Sequence, residues 1–213
     1  MTIVDKVLRG SPGRISRFHD RHSTFAMRTA QDWLDAFYAL ATAILRVAFG
    51  YHPRLPLIAL PATRFLRQNL QPKMKVFEWG SGMSTLWYEG HCAEIHSVED
   101  QYEWYRRVQV GTRRATVYYL KDRAYVDKIR EFPDGYFDLI SIDGGARLAC
   151  LEAALEKGGA PWLLLDDTDS PDLSVVVSRV SGLSGWEPHR FTGFSPGQFY
   201  VQETTILRRV AGK

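Results

Sequence analysis

Cysteine is scarce in this 213-residue chain. There are two, Cys92 and Cys150, far apart and not in a metal-type pair. Two buried free thiols in a reducing cytoplasm are the expectation. No apolar run reaches the roughly 20 residues that span a bilayer. The most membrane-like stretch, Ala36 to Gly50, is too short and is interrupted by Arg46. Residues 1 to 23 are polar and basic without an apolar core, so no secretory signal is expected. His91, His96 and His189 show no ligand spacing and read as surface residues. Internal repeats and low-complexity tracts are missing. The net charge of +3 is too mild to argue for nucleic acid. What remains is 45% apolar and 24% charged residues, the balance of an ordinary soluble globular protein with a substantial core.

The chain divides into residues 1–72 and 73–213. Residues 1–23 carry Lys6, Arg9, Arg14, Arg17 and Arg21 against Asp5 and Asp20. With Gly10, Pro12 and Gly13 among them, they read as a mobile basic arm. Ser23 or Thr24 is the expected cap of a helix. Ala30, Trp33, Leu34, Phe37, Tyr38, Ala41, Ile44, Leu45 and Ala48 follow at helical spacing, with Arg28, Asp32, Asp35, Thr42 and Arg46 largely elsewhere on the wheel. This wide apolar face suits packing on the rest of the chain or on a second subunit in a homodimer. The alternative is a peripheral membrane helix beside a basic arm. Pro53, Pro56 and Pro61 precede a second short helix, Ala62 to Leu70.

From Lys73 onward strands alternate with helices. Strands are expected at 75–79, 94–98, 115–120, 136–142 and 162–165. Helices are expected at 84–90, 100–110, 125–131, 147–157 and 173–180. Such alternation builds an α/β, doubly wound, mostly parallel sheet with helices on both faces. Glu187 to Thr192 and Phe199 to Leu207 are joined only by GFSPG, too short for a parallel crossover, so the last strand pair is expected to be antiparallel.

The first expected strand opens KVFEWGSGMST, Lys75 to Thr85. Gly80 and Gly82 let a ligand approach the backbone where a β-carbon would clash. Glu99, roughly 20 residues on at the end of the second strand, is placed for a ribose diol. A dinucleotide fits poorly, because Glu78 repels a pyrophosphate and Thr85 stands at the third glycine position. A ligand with a ribose, no phosphate and a cationic end fits better.

These features, with SVED, FDLISIDGG, GGAPWLLLDD and the final strand pair, resemble the class I S-adenosylmethionine-dependent methyltransferases over about residues 73–207. EWGSGMSTLW is similar to a bacterial subgroup of them. The resemblance implies a seven-stranded Rossmann-like sheet with an antiparallel last strand, and S-adenosyl-L-methionine as cofactor. It places Glu78, Gly80 and Gly82 at the methionine end, Glu99 on the ribose and Asp122 on the adenine amino group. Ser84, Asp100 and Asp143 join that cofactor-binding set. Asp143, Asp166 and Asp167, ending the fourth and fifth strands, become the catalytic candidates. Gly145 departs from the family pattern and leaves Arg147 without an assigned role. Mg²⁺ among the three aspartates is admitted by some relatives but not favoured over Asp143 acting alone as base or acceptor.

Each residue also has a plainer reading. Glu78 could cap a nearby turn, and Gly80 and Gly82 could serve the turn only. Glu99 could be a solvated strand end, and Asp122 the N-cap of the next helix. Trp79, Trp87 and Tyr88 read as core or wall residues. The expected activity is methyl transfer to a small-molecule or glycan-type acceptor at oxygen. A non-catalytic cofactor-binding module and, less favoured, a nicotinamide-dependent oxidoreductase remain as alternatives. The region before Lys73 and the loops after strands four to seven are expected to shape the acceptor site.

Overall fold

Five short strands make up the parallel part of the sheet. In the computed structural model, which describes residues 7, 13–182 and 185–210, they are the strands β1 (Lys75–Trp79), β2 (Glu94–Glu99), β3 (Thr116–Tyr119), β4 (Leu139–Ile142) and β5 (Trp162–Asp166). All five are parallel, and β6 (Trp186–Ser195) and β7 (Gln198–Arg209) complete a seven-stranded sheet in the order β3-β2-β1-β4-β5-β7-β6. Strand β7 lies antiparallel to both β5 and β6. The β6–β7 turn is made by Pro196 and Gly197, with Gly197 at φ 74°.

Central strands covered on both faces read as continuous apolar runs. Side chains still alternate between the two faces. Phe77, Trp79, Ile140, Ile142, Leu163 and Leu165 pack on one side with Leu151 and Val177. Val76, Leu139, Leu164 and Ile206 face the other side with Ala62, Leu66, Trp87 and Tyr88. The covering helices are α1 (Ala30–Phe49), α2 (Leu60–Asn69), α3 (Met83–Tyr88), α4 (Tyr102–Gly111), α5 (Asp122–Asp127), α6 (Arg147–Lys157) and α7 (Pro171–Gly182). The segment expected as a helix over 125–131 starts earlier, at Asp122, and tightens to a 3₁₀ turn at Lys128–Glu131. Tyr136, Phe137 and Asp138, expected in a strand, precede β4.

The N-terminal region departs from expectation in three ways. First, residues 13–23 are not a free arm. Arg14 Nε donates to Val201 O at 2.7 Å, Arg17 Nη1 donates to Phe199 O at 3.0 Å, and Val201 N donates to Arg17 O at 3.0 Å. Lys6, Arg9, Gly10 and Pro12 lie outside the described residues. Second, Ser23 and Thr24 cap nothing. They close a turn on Asp20 Oδ1, which accepts from Thr24 N, while Thr29 caps α1 in a reciprocal capping box with Asp32. Third, α1 is turned over. Its small side, Ala36, Ala39, Thr42 and Ala43, is buried together with Asp35. Ala36 and Ala39 meet Phe194 and Val201 of the β6–β7 hairpin, Thr42 Oγ1 accepts from Gly197 N, and Arg64 pairs with Asp35 at 2.8 Å. The large apolar side chains point away from the sheet, led by Phe37 at 77% exposure and Phe49 at 78%.

Candidate functional site

Ligands of open α/β sheets bind beyond the carboxyl ends of the strands, where the strand order reverses. Here the reversal lies between β1 and β4. A cavity of about 420 Å³ opens at that edge, within the range of small-molecule sites. One wall is the turn after β1, while Glu99 ends β2 and Asp100 follows it. Asp143 to Gly145 follow β4, and Asp166 and Asp167 end β5.

The β1 turn is held by close backbone packing. Gly80 has φ 94°, and a β-carbon there would lie 2.8 Å from Gly144 N and 2.9 Å from Asp143 C. Gly144 is equally constrained, since its β-carbon would strike Tyr125 Oη. Gly82 differs. A β-carbon on it would meet only Ser84 Oγ, at 3.6 Å, so the space beside it belongs to the cleft.

Glu78 does not line the cavity. It is fully buried beneath the turn, where its Oε2 accepts from Thr85 Oγ1 and, at 2.7 Å, from Ser97 Oγ. Thr85 Oγ1 also accepts from Gly82 N at 3.0 Å. Thr85, standing where a dinucleotide site has its third glycine, thus ties the glycine turn to the carboxylate. Burial pushes Glu78 up to about 7, against the pull of the hydroxyls of Ser84, Thr85 and Ser97.

Glu99 lines the cavity, buried to 4% exposure. Desolvation pushes it up to about 7, opposed by the Gln101 N–H that it accepts at 2.8 Å and reinforced by the charge of Asp100. Asp122 is outside. It is an exposed residue at the start of α5 with φ 52°; Lys121 holds the N-cap position, and no side chain caps that end. Trp79, Trp87 and Tyr88 are buried in the core. His91 stacks on Trp87 and His96 bonds Glu94, away from the cavity.

The three aspartates do meet, and a cation sits among them. Arg147 Nη2 reaches Asp143 Oδ1 at 3.0 Å and Asp167 Oδ2 at 3.2 Å. Burial alone would lower Arg147, but Asp143, Asp166 and Asp167 outweigh it and hold the guanidinium above its ordinary value. Desolvation pushes Asp143 up to about 6, although Arg147 pulls it down. Asp166 is held well above the ordinary carboxylate range by burial and by its two acidic neighbours. Gln202 Nε2 donates to both its oxygens at 2.9 Å, and Thr204 Oγ1 donates to Oδ1 at 2.6 Å. Asp167 adopts φ 57°, a strain of roughly 1–3 kcal/mol for a residue with a side chain. Arg21 lies 4.0 Å from Asp167 and 3.0 Å from Asp169, and Arg14 is 3.2 Å from Asp169, so the N-terminal segment is wired to this edge.

The rest of the lining comes from segments with no motif. Arg46, His52 and Leu57 arrive from α1 and the loop after it, Trp104 from α4, and Gln198 and Tyr200 from β7. Arg46, His52 and Leu57 come from the region before Lys73 and Gln198 and Tyr200 from the last strand, whereas Trp104 follows the second strand. Around the cavity, buried Arg147 Nε and Gln198 Oε1 have no hydrogen-bond partner among the described residues, which a polar ligand or ordered water would complete.

Comparison with known proteins adds the fold. No family model matches the chain, and no curated protein matches it in sequence. Solved structures do. A putative O-methyltransferase from Klebsiella pneumoniae superposes with a TM-score of 0.60 at 14% identity, covering 84% of this chain and 100% of that one. The O-methyltransferase from Bacillus cereus, in complex with SAH, gives 0.60 at 15% identity over 85% and 98%. TomG from Streptomyces achromogenes, an O-methyltransferase of tomaymycin synthesis in complex with SAM, gives 0.57 at 12% identity over 86% and 100%. The chain has the Rossmann-like fold of these methyltransferases.

Proposed function

We propose that the chain is an S-adenosylmethionine-dependent methyltransferase that acts on a small-molecule or glycan-type acceptor, at oxygen. The observation that carries the reading is the cavity at the β1/β4 reversal, which has an open glycine wall at Gly82, a buried carboxylate at Glu99 and an acidic edge at Asp143. That donor set fits a cofactor with hydroxyls and a cationic end and disfavours a pyrophosphate. The fold shared with enzymes that carry SAM or SAH supports it.

When bound, S-adenosylmethionine supplies a methyl group on a sulfonium that is a good leaving group. The protein's work is to align and to manage a proton. Glu99, ionised, would hold the ribose hydroxyls, with Asp100 and Ser84 lining the same cavity. Gly82 leaves the backbone open to the methionine end, and Glu78 acts from beneath through Thr85 and Ser97. Asp143, poised at about 6, takes the proton from an acceptor hydroxyl. Arg147 fixes its carboxylate and keeps part of it ionised. Asp166, oriented by Gln202 and Thr204 and held well above the ordinary carboxylate range, lies beside it, and Asp167 anchors Arg147 from the other side.

The same residues fit Mg²⁺ poorly. Arg147 already occupies the space between Asp143 and Asp167, and both oxygens of Asp166 accept from Gln202. No group of three or more His, Cys, Asp or Glu among the described residues is arranged to hold a metal ion.

Calorimetry with S-adenosylhomocysteine and with NADH tests the cofactor. Binding of the first and not the second is expected. Gly82→Asp should keep the fold, because its side chain enters the cleft, and should lose binding. Unchanged affinity in Gly82→Asp refutes the assignment. Tight binding without turnover on any hydroxyl acceptor would make the chain a cofactor-binding module instead.

A further inference from the structure

The outward face of α1 is an unusual surface. Ala30, Trp33, Leu34, Phe37, Tyr38, Ala41, Ile44, Leu45, Ala48 and Phe49 are all exposed, and none is charged. The helix has 20 residues, so the stripe is about 30 Å long. Five aromatic side chains on and just after it, Trp33, Phe37, Tyr38, Phe49 and Tyr51, are 39–78% exposed. At about 200 Å² each they leave roughly 600 Å² of aromatic surface in water. Leu34, Ile44 and Leu45, 40–63% exposed, bring the patch to about the 800 Å² that each partner contributes to a standard interface. Patches of this size rarely stay uncovered.

We infer that this face binds a second copy of the chain, helix α1 against helix α1, antiparallel about a two-fold axis near residue 39. The spacing of the stripe carries the choice of partner. Reflected about residue 39, Ala30 falls on Ala48, Trp33 on Leu45, Leu34 on Ile44 and Phe37 on Ala41. In each of these four pairs an apolar position meets an apolar one, and the most exposed central ring, Phe37, meets a methyl group. A patch that complements itself is what an isologous interface needs. The helix ends agree. In this antiparallel arrangement the two helix dipoles oppose each other.

An anionic membrane suits the surface less well. The helix carries no lysine, and its one arginine, Arg46, is turned to Gly197 O at 3.2 Å. Arg14, Arg17 and Arg21 of the preceding segment bond Asp169 and backbone carbonyls. No cationic rim flanks the stripe beyond Arg28 and Arg54 among the described residues of this region. No helix among the described residues is long and apolar enough to cross a membrane.

The test is the mass of the full chain in solution by light scattering, with and without Phe37→Glu. Twice the chain's 24.3 kDa is expected for the wild type, and the single mass for Phe37→Glu. Phe37 is exposed, so the variant should keep the wild-type melting curve and S-adenosylhomocysteine affinity. A second measurement reads the register. Phe37→Cys chains mixed with Ala41→Cys chains should cross-link to each other at least tenfold faster than either alone, and the native cysteines are buried. A wild type of single mass overturns the inference. So does a dimer that survives Phe37→Glu, which would use another face. A monomer that floats with phosphatidylglycerol vesicles also overturns it and gives the stripe to a membrane. Because mass and cross-linking do not depend on methyl transfer, their outcome stands apart from that of the proposed activity.

Discussion

In the role proposed for it, Glu99 should make cofactor affinity depend on pH near neutrality, and the size of the effect follows from its surroundings. Its carboxylate is pushed to about 7 by burial and by Asp100. Ribose hydroxyls donate to it, so binding favours the ionised form. At pH 5.5 only about 3% of a group with that pKa is ionised, so the apparent affinity for S-adenosylhomocysteine should fall about 30-fold between pH 8 and pH 5.5, or about 2 kcal/mol. The sign for folding runs the other way. A carboxyl raised above its ordinary value contributes stability fully below about 4.5 and loses it as pH rises through about 7. The free protein therefore weakens with pH over the window in which the complex tightens, and the ligand-induced rise in melting temperature should grow from pH 5.5 to pH 8. Calorimetric titrations in steps of half a pH unit measure the first effect, and thermal melts with saturating ligand the second. Glu99→Gln, which carries no charge at any pH, should flatten the affinity profile at the weak end. Glu78 and Asp143 titrate in the same range, so the difference between wild type and Glu99→Gln isolates the residue. A wild-type affinity constant within twofold from pH 5.5 to 8 refutes the role given to Glu99, as does a Glu99→Gln profile that keeps the full slope.

Gly80→Ala should cost roughly 2–4 kcal/mol in urea unfolding, because its methyl meets the backbone of Asp143 and Gly144 and its φ of 94° is unfavourable for alanine. Gly82→Ala, with open space beside it, should cost under about 1 kcal/mol; equal losses would show the turn is not packed as described. Arg147→Leu leaves Asp143 and Asp167 without their cation and should cost about 3 kcal/mol at pH 8 but less at pH 5, where Asp143 takes up its proton. Unfolding at the two pH values measures this, and a loss independent of pH would mean that Arg147 acts by packing alone.

The strands were readable because their burial is two-sided. Leu163 to Leu165 is apolar without interruption, Val76 to Trp79 and Leu139 to Ile142 are broken only by Glu78 and Ser141, and such runs leave little choice of element. The antiparallel end was readable from loop length alone. Periodicity also found α1, but it could not say which side faces the sheet. A wide apolar face is conventionally turned inward. Here Ala36, Ala39 and Ala43 let the helix lie close on Phe194 and Val201, while Asp35 and Thr42 are satisfied by Arg64 and Gly197. Nothing in the local sequence announces those partners, which lie 29 and 155 positions away. The basic arm misled for a related reason. Its arginines looked like solvated charge because Asp169 and the carbonyls of Phe199 and Val201, which hold them, are distant in sequence.

The cleft divides along the same line. The half proposed to grip a cofactor follows strands β1, β2, β4 and β5, where topology alone brings Gly82, Glu99, Asp143 and Asp166 to one edge. The half that would meet an acceptor comes from α1, α4 and β7, and Arg46, His52, Trp104 and Tyr200 carry no motif because no common chemistry constrains them. Glu78 shows the limit of the motif even in the legible half. Its position beside two glycines suggested a ligand contact. The structure turns it inward, where Ser97 and Thr85 donate to it. The charge that appeared to choose the ligand directly instead shapes the turn that does, since the same Thr85 that donates to Glu78 accepts from the backbone of Gly82. A neutral Glu78 and an ionised one would hold that turn with different strength, so the pKa of about 7 places the rigidity of the glycine wall, as well as the charge on Glu99, within reach of small changes around neutral pH.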